Sequence, residues 1–267
     1  MDAVSQGATT RKPLMMNVYR PVTRISRLMV LSVWFLSGCA SLPSHDPSDP
    51  LEPINRDVEQ FNRKFDKIIA KPVARGYRKI TPDPLDRGIT NFFANLADIN
   101  SAVNNLLQLK PHRALSDVGR LCINTTVGLL GFFDVATGMG LKNYKEDLGQ
   151  TLGYYGVGDK PYLVIPILGP SNLRDFVGQM GDLVINPIYY TSEGVYWSLL
   201  TLKYVDTRAD LLETGDILEE AAVDPYSFIR ETYQQSRRHK IHNGMQPQDS
   251  PQFEDEIQFD DEAPPQQ

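Results

Sequence analysis

Cys39 is the residue in this 267-residue chain whose chemistry its neighbours set most clearly. It closes the tetrad Leu36-Ser37-Gly38-Cys39 behind an apolar run from Leu28 to Leu36, and Arg20, Arg24 and Arg27 precede that run. A cationic stretch, a short apolar stretch and small residues at the cut are the parts of a secretory signal. The arrangement predicts a bacterial lipoprotein signal over 1–38, cleaved on the amino side of Cys39. The thiol then takes a diacylglyceryl thioether, and the new amino group takes a further acyl chain. At ~0.8 kcal/mol per buried methylene, more than one chain gives lasting attachment. A transmembrane helix is the competing reading, but it needs roughly 20 apolar residues, and only nine positions separate Arg27 from Ser37. A start at Met15 or Met16 gives a more ordinary signal length. Ala40 and Ser41, rather than an aspartate, follow the cysteine, which favours sorting to the outer membrane over the inner one.

Other reactive residue types lack the company that catalysis needs. Ser171, in Gly169-Pro170-Ser171-Asn172-Leu173, has no second glycine to form a nucleophile elbow. Of the four histidines, His45 lies in a Pro- and Ser-rich stretch, His112 stands alone, and His239 and His242 fall in a basic segment without accompanying cysteine or carboxylate ligands. Gly153-Tyr-Tyr-Gly-Val-Gly158-Asp-Lys160 has its lysine displaced by one from a phosphate loop, and no Ser or Thr follows it. The acid pairs Glu146-Asp147 and Glu219-Glu220 read as charged neighbours on helix ends or solvated faces. The chain is therefore expected to be no enzyme and to use no cofactor and no metal. Net charge is −6, with much of the acid in the tail around 253–262, so there is no basic footprint for nucleic acid. With Cys39 consumed by lipid, Cys122 cannot form an internal disulfide and reads as a small buried hydrophobe.

The positioning elements follow from spacing. Ser41 to Pro53 is rich in Pro, Ser and Asp and reads as a tether over 39–53. Ile54, Val58, Phe61, Phe65 and Ile68 or Ile69 make an amphipathic helix that Pro72 is expected to break. Phe92, Leu96, Ile99, Val103 and Leu106 repeat the spacing, flanked by asparagines at 95, 100, 104 and 105. A third helix is expected from Ala114 to about Thr126. A glycine-rich, loop-dominated middle holds Tyr162 to Ile165 as a short strand or hairpin arm. Helices follow over Asn172–Val184 and around Val195–Lys203. Thr207-Arg-Ala-Asp210 reads as a cap opening a helix that holds Leu211, Leu212 and Leu218. Asp224-Pro225 launches a last helix. A folded unit thus spans 54–244, and an acidic, disordered tail is expected over 245–267.

Four blocks in order carry a resemblance. They are Asp49-Pro-Leu-Glu-Pro-Ile-Asn-Arg56 leading to Phe61-Asn62; Asn124-Thr-Thr-Val-Gly-Leu-Leu-Gly-Phe-Phe-Asp134; EDLGQTLGYYGVGDKPYLVIPILGPSNLRD over 146–175; and Asp224-Pro-Tyr226 with Arg230 and Tyr233. Behind a lipobox, this set resembles the MlaA (VacJ) family from about Asp49 to Gly244. Leu148 departs from the family's usual aromatic, and Lys160 from its usual glycine before Pro-Tyr. The resemblance implies a mainly α, ring-like domain of amphipathic helices with a short hairpin. It would lie in the inner leaflet of the outer membrane beside a trimeric porin. Misplaced phospholipids would enter its amphipathic channel and pass to a periplasmic lipid-carrier protein. The runner-up reading is a non-transporting envelope scaffold.

The residue types suit such a task on physical grounds. A charged headgroup crosses hydrocarbon at a cost of several kcal/mol, which a polar path removes. Helices with Asn, Arg and Asp opposite Phe, Leu and Ile supply a polar and an apolar face, although such stripes also build ordinary helical cores. Tyr189, Tyr190, Tyr196 and Trp197 suit an interface between tails and water. Gly156 and Gly158 read either as turn residues with positive φ or, by the family likeness, as hinges of a channel-gating loop that carries Lys160.

Overall fold

The structure is a computed structural model that describes residues 49–215 and 224–243. The signal, Cys39, most of the tether, Leu218, the Glu219-Glu220 pair and the 245–267 tail lie outside the described residues.

Helix α1 (Glu52–Phe65) carries Pro53 in its first turn, where a missing N–H leaves no hydrogen bond unmade. Asp49, within the stretch read as tether, is buried and accepts hydrogen bonds from the Tyr226 hydroxyl and from Arg230 Nη1. Contrary to expectation, the chain stays helical past Pro72. One wide turn, Asp66–Ala70, in which Lys71 N reaches back to Asp66 O, joins α1 to α2 (Lys71–Ile80). The wide turn loosens the carbonyls against which the pyrrolidine ring would press, so the proline sits in the first turn of α2 and does not end the helix.

After Pro82, α3 (Asp83–Leu107) runs for 25 residues, and α4 (Pro111–Thr126) folds back against it. Side-chain caps then start several short helices. Asp134 caps α5 (Val135–Gly138), and Asp147 caps α6 (Leu148–Tyr154). Strands β1 (Tyr162–Ile165) and β2 (Gly169–Asn172) form an antiparallel hairpin with Tyr162 opposite Asn172 and Ile165 opposite Gly169. Asn172 caps α7 (Leu173–Ile185). A 3-10 turn (Pro187–Tyr190) leads into α8 (Glu193–Asp210). Thr207 lies inside α8 and is not a cap: no glycine or proline interrupts the run from Val195 to Asp210, so the helix continues, and a new helical turn occupies 212–215. As expected, Asp224 caps α9 (Pro225–Ile241), accepting from Tyr226 N.

Contacts between the elements make a closed circuit. α2 lies on α8, α8 on α3, and α3 on α4, α6 and α7; α6 touches α9, α9 touches β2, and β1 touches α1, which continues into α2. The architecture is mainly α with one small hairpin, its helices joined in a ring of contacts. Gly149 and Gly178 allow α6 and α7 to meet at backbone distance, because a Cβ on Gly178 would stand 2.3 Å from Gly149 N. Apolar clusters are small. One joins Phe93, Ile188, Tyr189 and Tyr196, and another joins Tyr162, Val164 and Tyr226.

Candidate functional site: a buried polar interior

The C-terminal half of α3 and much of α4 are turned opposite to a water-soluble bundle. On α3, Asp98, Ser101, Asn104 and Asn105 are buried, as is Gln108 at its C-cap, whereas Leu106 is 56% exposed. On α4, Asp117, Arg120 and Asn124 are buried, whereas Leu115 is 72% exposed and Val118 and Cys122 are also exposed. Cys122 is thus not the buried hydrophobe its surroundings suggested, because its turn of α4 shares the outward apolar face. Among the described residues, no helix is long and apolar enough to cross a membrane.

Buried polar groups are tolerated when they are paired, and three connected networks do this. Between α3 and α4, Ser101 Oγ and Asn105 Nδ2 donate to Asp117 Oδ2 at 2.7 and 2.8 Å. Arg120 donates to Asp98 at 3.2 Å, to Thr137 Oγ1 at 2.8 Å, to Leu141 O at 3.0 Å and to Asp134 at 3.3 Å. Asn124 donates to Asp134 and accepts from Ala136 N. Burial pushes Asp98 up to about 6 against the pull of Arg120 and also raises Asp117. At Asp134 burial acts in the same direction, but hydrogen bonds from Thr137 and Asn124 outweigh it and hold the carboxyl below its ordinary value.

The second network ties α3 to α6 and α7. Gln108 Nε2 donates to Glu146 Oε2 and to Thr151 Oγ1, each at 3.0 Å; Thr151 Oγ1 donates to Asn104 Oδ1 at 2.8 Å. Asn104 Nδ2 and the backbone N–H of Leu148 donate to the two oxygens of Asp182 at 3.1 and 3.0 Å. Burial raises Asp182 to about 6 despite those bonds. Glu146 is buried just ahead of the N-cap Asp147 and faces Lys110 and Arg113 at 3.7 and 3.6 Å, so this acid pair sits at a helix end and not on a solvated face.

In the third network, Arg237 of α9 binds Asp147 through two bonds of 2.7 and 2.8 Å and Asp175 at 2.9 Å. Tyr233 and Arg174 also donate to Asp175, at 2.6 and 2.9 Å. Burial alone would raise both aspartates, but Arg237 and the other donors outweigh it and lower them. Beside these networks, Ala97, Asn100, Asn143, Lys145, Glu146 and Asp147 line a recess of about 250 Å³.

The expected loop residues Gly156, Gly158 and Lys160 are brought together in one exposed segment between α6 and β1. Gly156 takes φ +86°, as a turn requires, but Gly158 does not have a positive φ, and both have open space where a Cβ would stand. Tyr190 and Trp197 are exposed as an interfacial role requires, but Tyr189 and Tyr196 are packed inside against Phe93 and Ile188, so only half of that aromatic set faces outward. Ser171 is buried, its hydroxyl directed at Asn172 O. The interior residues Asp98, Ser101 and Gln108 were not singled out from sequence, although with Asn104 and Asn105, which were, their helical spacing marks a continuous polar stripe.

A mainly helical fold that pairs its polar groups inside and exposes its apolar stripes defines an amphipathic ring protein rather than an ordinary bundle. By sequence, the chain belongs to the MlaA lipoprotein family, whose model matches residues 47–240. It is 37% identical over 239 residues to the intermembrane phospholipid transport system lipoprotein MlaA of Escherichia coli K12, covering 85% of this chain and 93% of that one. The protein of the same name from Haemophilus influenzae is 31% identical over 239 residues, covering 85% and 94%. A solved structure described as the structural basis for maintenance of bacterial outer membrane lipid asymmetry superposes with a TM-score of 0.64 at 34% identity, covering 72% of this chain and 98% of that one.

Proposed function

We propose that this protein is an outer-membrane lipoprotein of an intermembrane phospholipid transport system, giving misplaced phospholipids a polar route out of the outer leaflet. The observation that carries this reading is the reversed polarity of α3 and α4, with Asp98, Asp117 and Arg120 inside and Leu106 and Leu115 outside. An apolar exterior is at ease among acyl chains, and a paired polar interior lowers the cost of moving a charged headgroup past hydrocarbon. The family relatives named above as phospholipid transport lipoproteins support the same substrate class.

In this reading Cys39 holds the acyl anchor and 39–53 begins as a tether. The 54–244 unit lies in the inner leaflet of the outer membrane beside a trimeric porin. Lipid passes through an amphipathic channel to a periplasmic carrier protein. The Gly156, Gly158 and Lys160 loop gates one end: it is exposed and unobstructed, as a moving segment must be. No fuel is needed, since a passive path only lowers a barrier.

Proteoliposomes holding the mature lipidated protein test this directly. Labelled phospholipid should pass to a soluble lipid-carrying acceptor without nucleotide, faster than from protein-free vesicles. Transfer equal to that of the protein-free control would instead favour a scaffold that holds envelope components without moving lipid.

A further inference from the structure

Lys203 is placed unlike the other cations of the interior. On α8 it follows buried Tyr196 by seven residues and precedes buried Asp206 by three, so it projects from the helix face that turns inward. Yet the residue is exposed. Surrounding protein also desolvates its ammonium enough to lower the pKa, with no charged neighbour contributing. Exposure together with crowding is what a side chain facing a concave surface shows.

The charges on neighbouring elements are already committed. Asp206 accepts from Tyr77 and Thr90, and Asp66 is held by Arg208. Among the described residues, no carboxylate pairs with Lys203. A partly desolvated ammonium without a counter-ion is costly to the folded protein, and an arriving anion recovers that cost. Lysine binds phosphate well as a compact point charge. Leu199, Leu200 and Leu202 on the same helix, and Phe92 and Leu96 of α3, pack against the cluster of Phe93, Ile188, Tyr189 and Tyr196, so an apolar wall stands beside the cation.

We propose that Lys203 is the interior contact for the phosphodiester of a glycerophospholipid, its ammonium meeting the phosphate while the neighbouring leucines and phenylalanines meet the acyl chains. This inference rests on the lipid-passage reading above and adds to it the residue that receives the headgroup.

The test uses mature lipidated protein in proteoliposomes, with labelled phosphatidylglycerol and phosphatidylethanolamine followed separately. Lys203→Gln should slow transfer of both lipids about tenfold, Lys203→Glu should slow it further and most for phosphatidylglycerol, and Lys203→Arg should restore it. Thermal stability of Lys203→Gln should equal or exceed that of the parent, because an unpaired desolvated charge has been removed; a merely structural lysine would show the opposite. Inorganic phosphate is the second probe. Inhibition of the parent but not of Lys203→Gln shows that the site takes any phosphate, and absence of inhibition shows that it needs the attached lipid; either result, together with slow transfer by Lys203→Gln, supports the contact. Transfer by Lys203→Gln at the parent rate overturns the contact and leaves the transport reading standing. Failure of the parent protein itself to transfer lipid overturns both.

Discussion

Arg237 of α9 closes on Asp147, the N-cap of α6, through two hydrogen bonds of 2.7 and 2.8 Å across 90 residues of sequence. The same guanidinium reaches Asp175 near the start of α7, so one side chain joins three helices of the ring. Breaking a buried pair leaves an uncompensated charge, so Arg237→Met should cost about 3 kcal/mol, the lower part of the range for such pairs because Asp147 keeps some solvent access. Urea denaturation in detergent micelles reads this as a lower midpoint. A loss below about 0.5 kcal/mol would show that Asp147 and Asp175 are satisfied without the arginine.

Acid should first stabilise the fold and then destabilise it. Asp98 and Asp182 are raised to about 6 in the folded protein, above their unfolded values. Their protonated forms therefore favour folding, and this contribution is full below the unfolded pKa and lost as pH rises through about 6. Asp147 and Asp175 are lowered, so their contribution is present above the unfolded pKa and is lost as pH falls through their folded values. Denaturation midpoints should rise from pH 7 to about pH 4.5 and fall below pH 3.5. In Asp182→Asn, which needs no proton to be neutral, the rise between pH 7 and 4.5 should shrink.

Two glycine positions separate packing from motion. A Cβ at Gly178 meets the backbone of Gly149 at 2.3 Å, and backbone cannot yield as a flexible side chain can. Gly178→Ala should cost about 2 kcal/mol by overpacking. Gly158→Ala meets nothing within 4 Å and faces no positive φ, so its stability should stay within about 0.5 kcal/mol of the parent. If Gly158 is a hinge, lipid transfer will change in that variant while its melting curve does not. Gly156→Ala must hold alanine at φ +86° and should lose about 1 kcal/mol.

Charge on the outward face should affect membrane affinity rather than folding. Leu115 is largely exposed on α4, so Leu115→Lys should leave the melting temperature nearly unchanged. With the anchor removed by Cys39→Ser, the same substitution should reduce vesicle binding in a flotation assay by at least about tenfold, since a lysine among acyl chains costs about 2.5 to 3.5 kcal/mol. Equal flotation would place that face away from lipid.

Periodicity made the helices legible, because α3, α4, α7 and α9 repeat their apolar residues every three or four positions and begin at recognisable proline or Asx signals. Periodicity reveals that a helix has two faces but not which face meets the surrounding medium. For that reason Cys122 reads as a buried hydrophobe, the Leu106 stripe fits a core and a lipid face equally, and Asp98, Ser101 and Gln108 carry no local signal of burial. Pro72 misled because tolerance of a proline depends on a wide turn upstream that no local signal announces. Thr207 misled because a Thr three residues before an Asp fits a helix interior as well as a cap. The Arg237 to Asp147 pair is set by tertiary closure of the ring, and Lys203 becomes distinctive only when burial on its helix face and exposure of its side chain are seen together.

Cys122 offers the most direct test of the reversed polarity, because it lies exposed on the outer face of α4. A nitroxide attached there, in mature protein whose other cysteine is acylated, can be placed by electron paramagnetic resonance power saturation in membranes. The account predicts ready access for oxygen, which concentrates among acyl chains, and protection from a water-soluble nickel chelate. Strong relaxation by the nickel chelate with little effect of oxygen would put this face in water and contradict it.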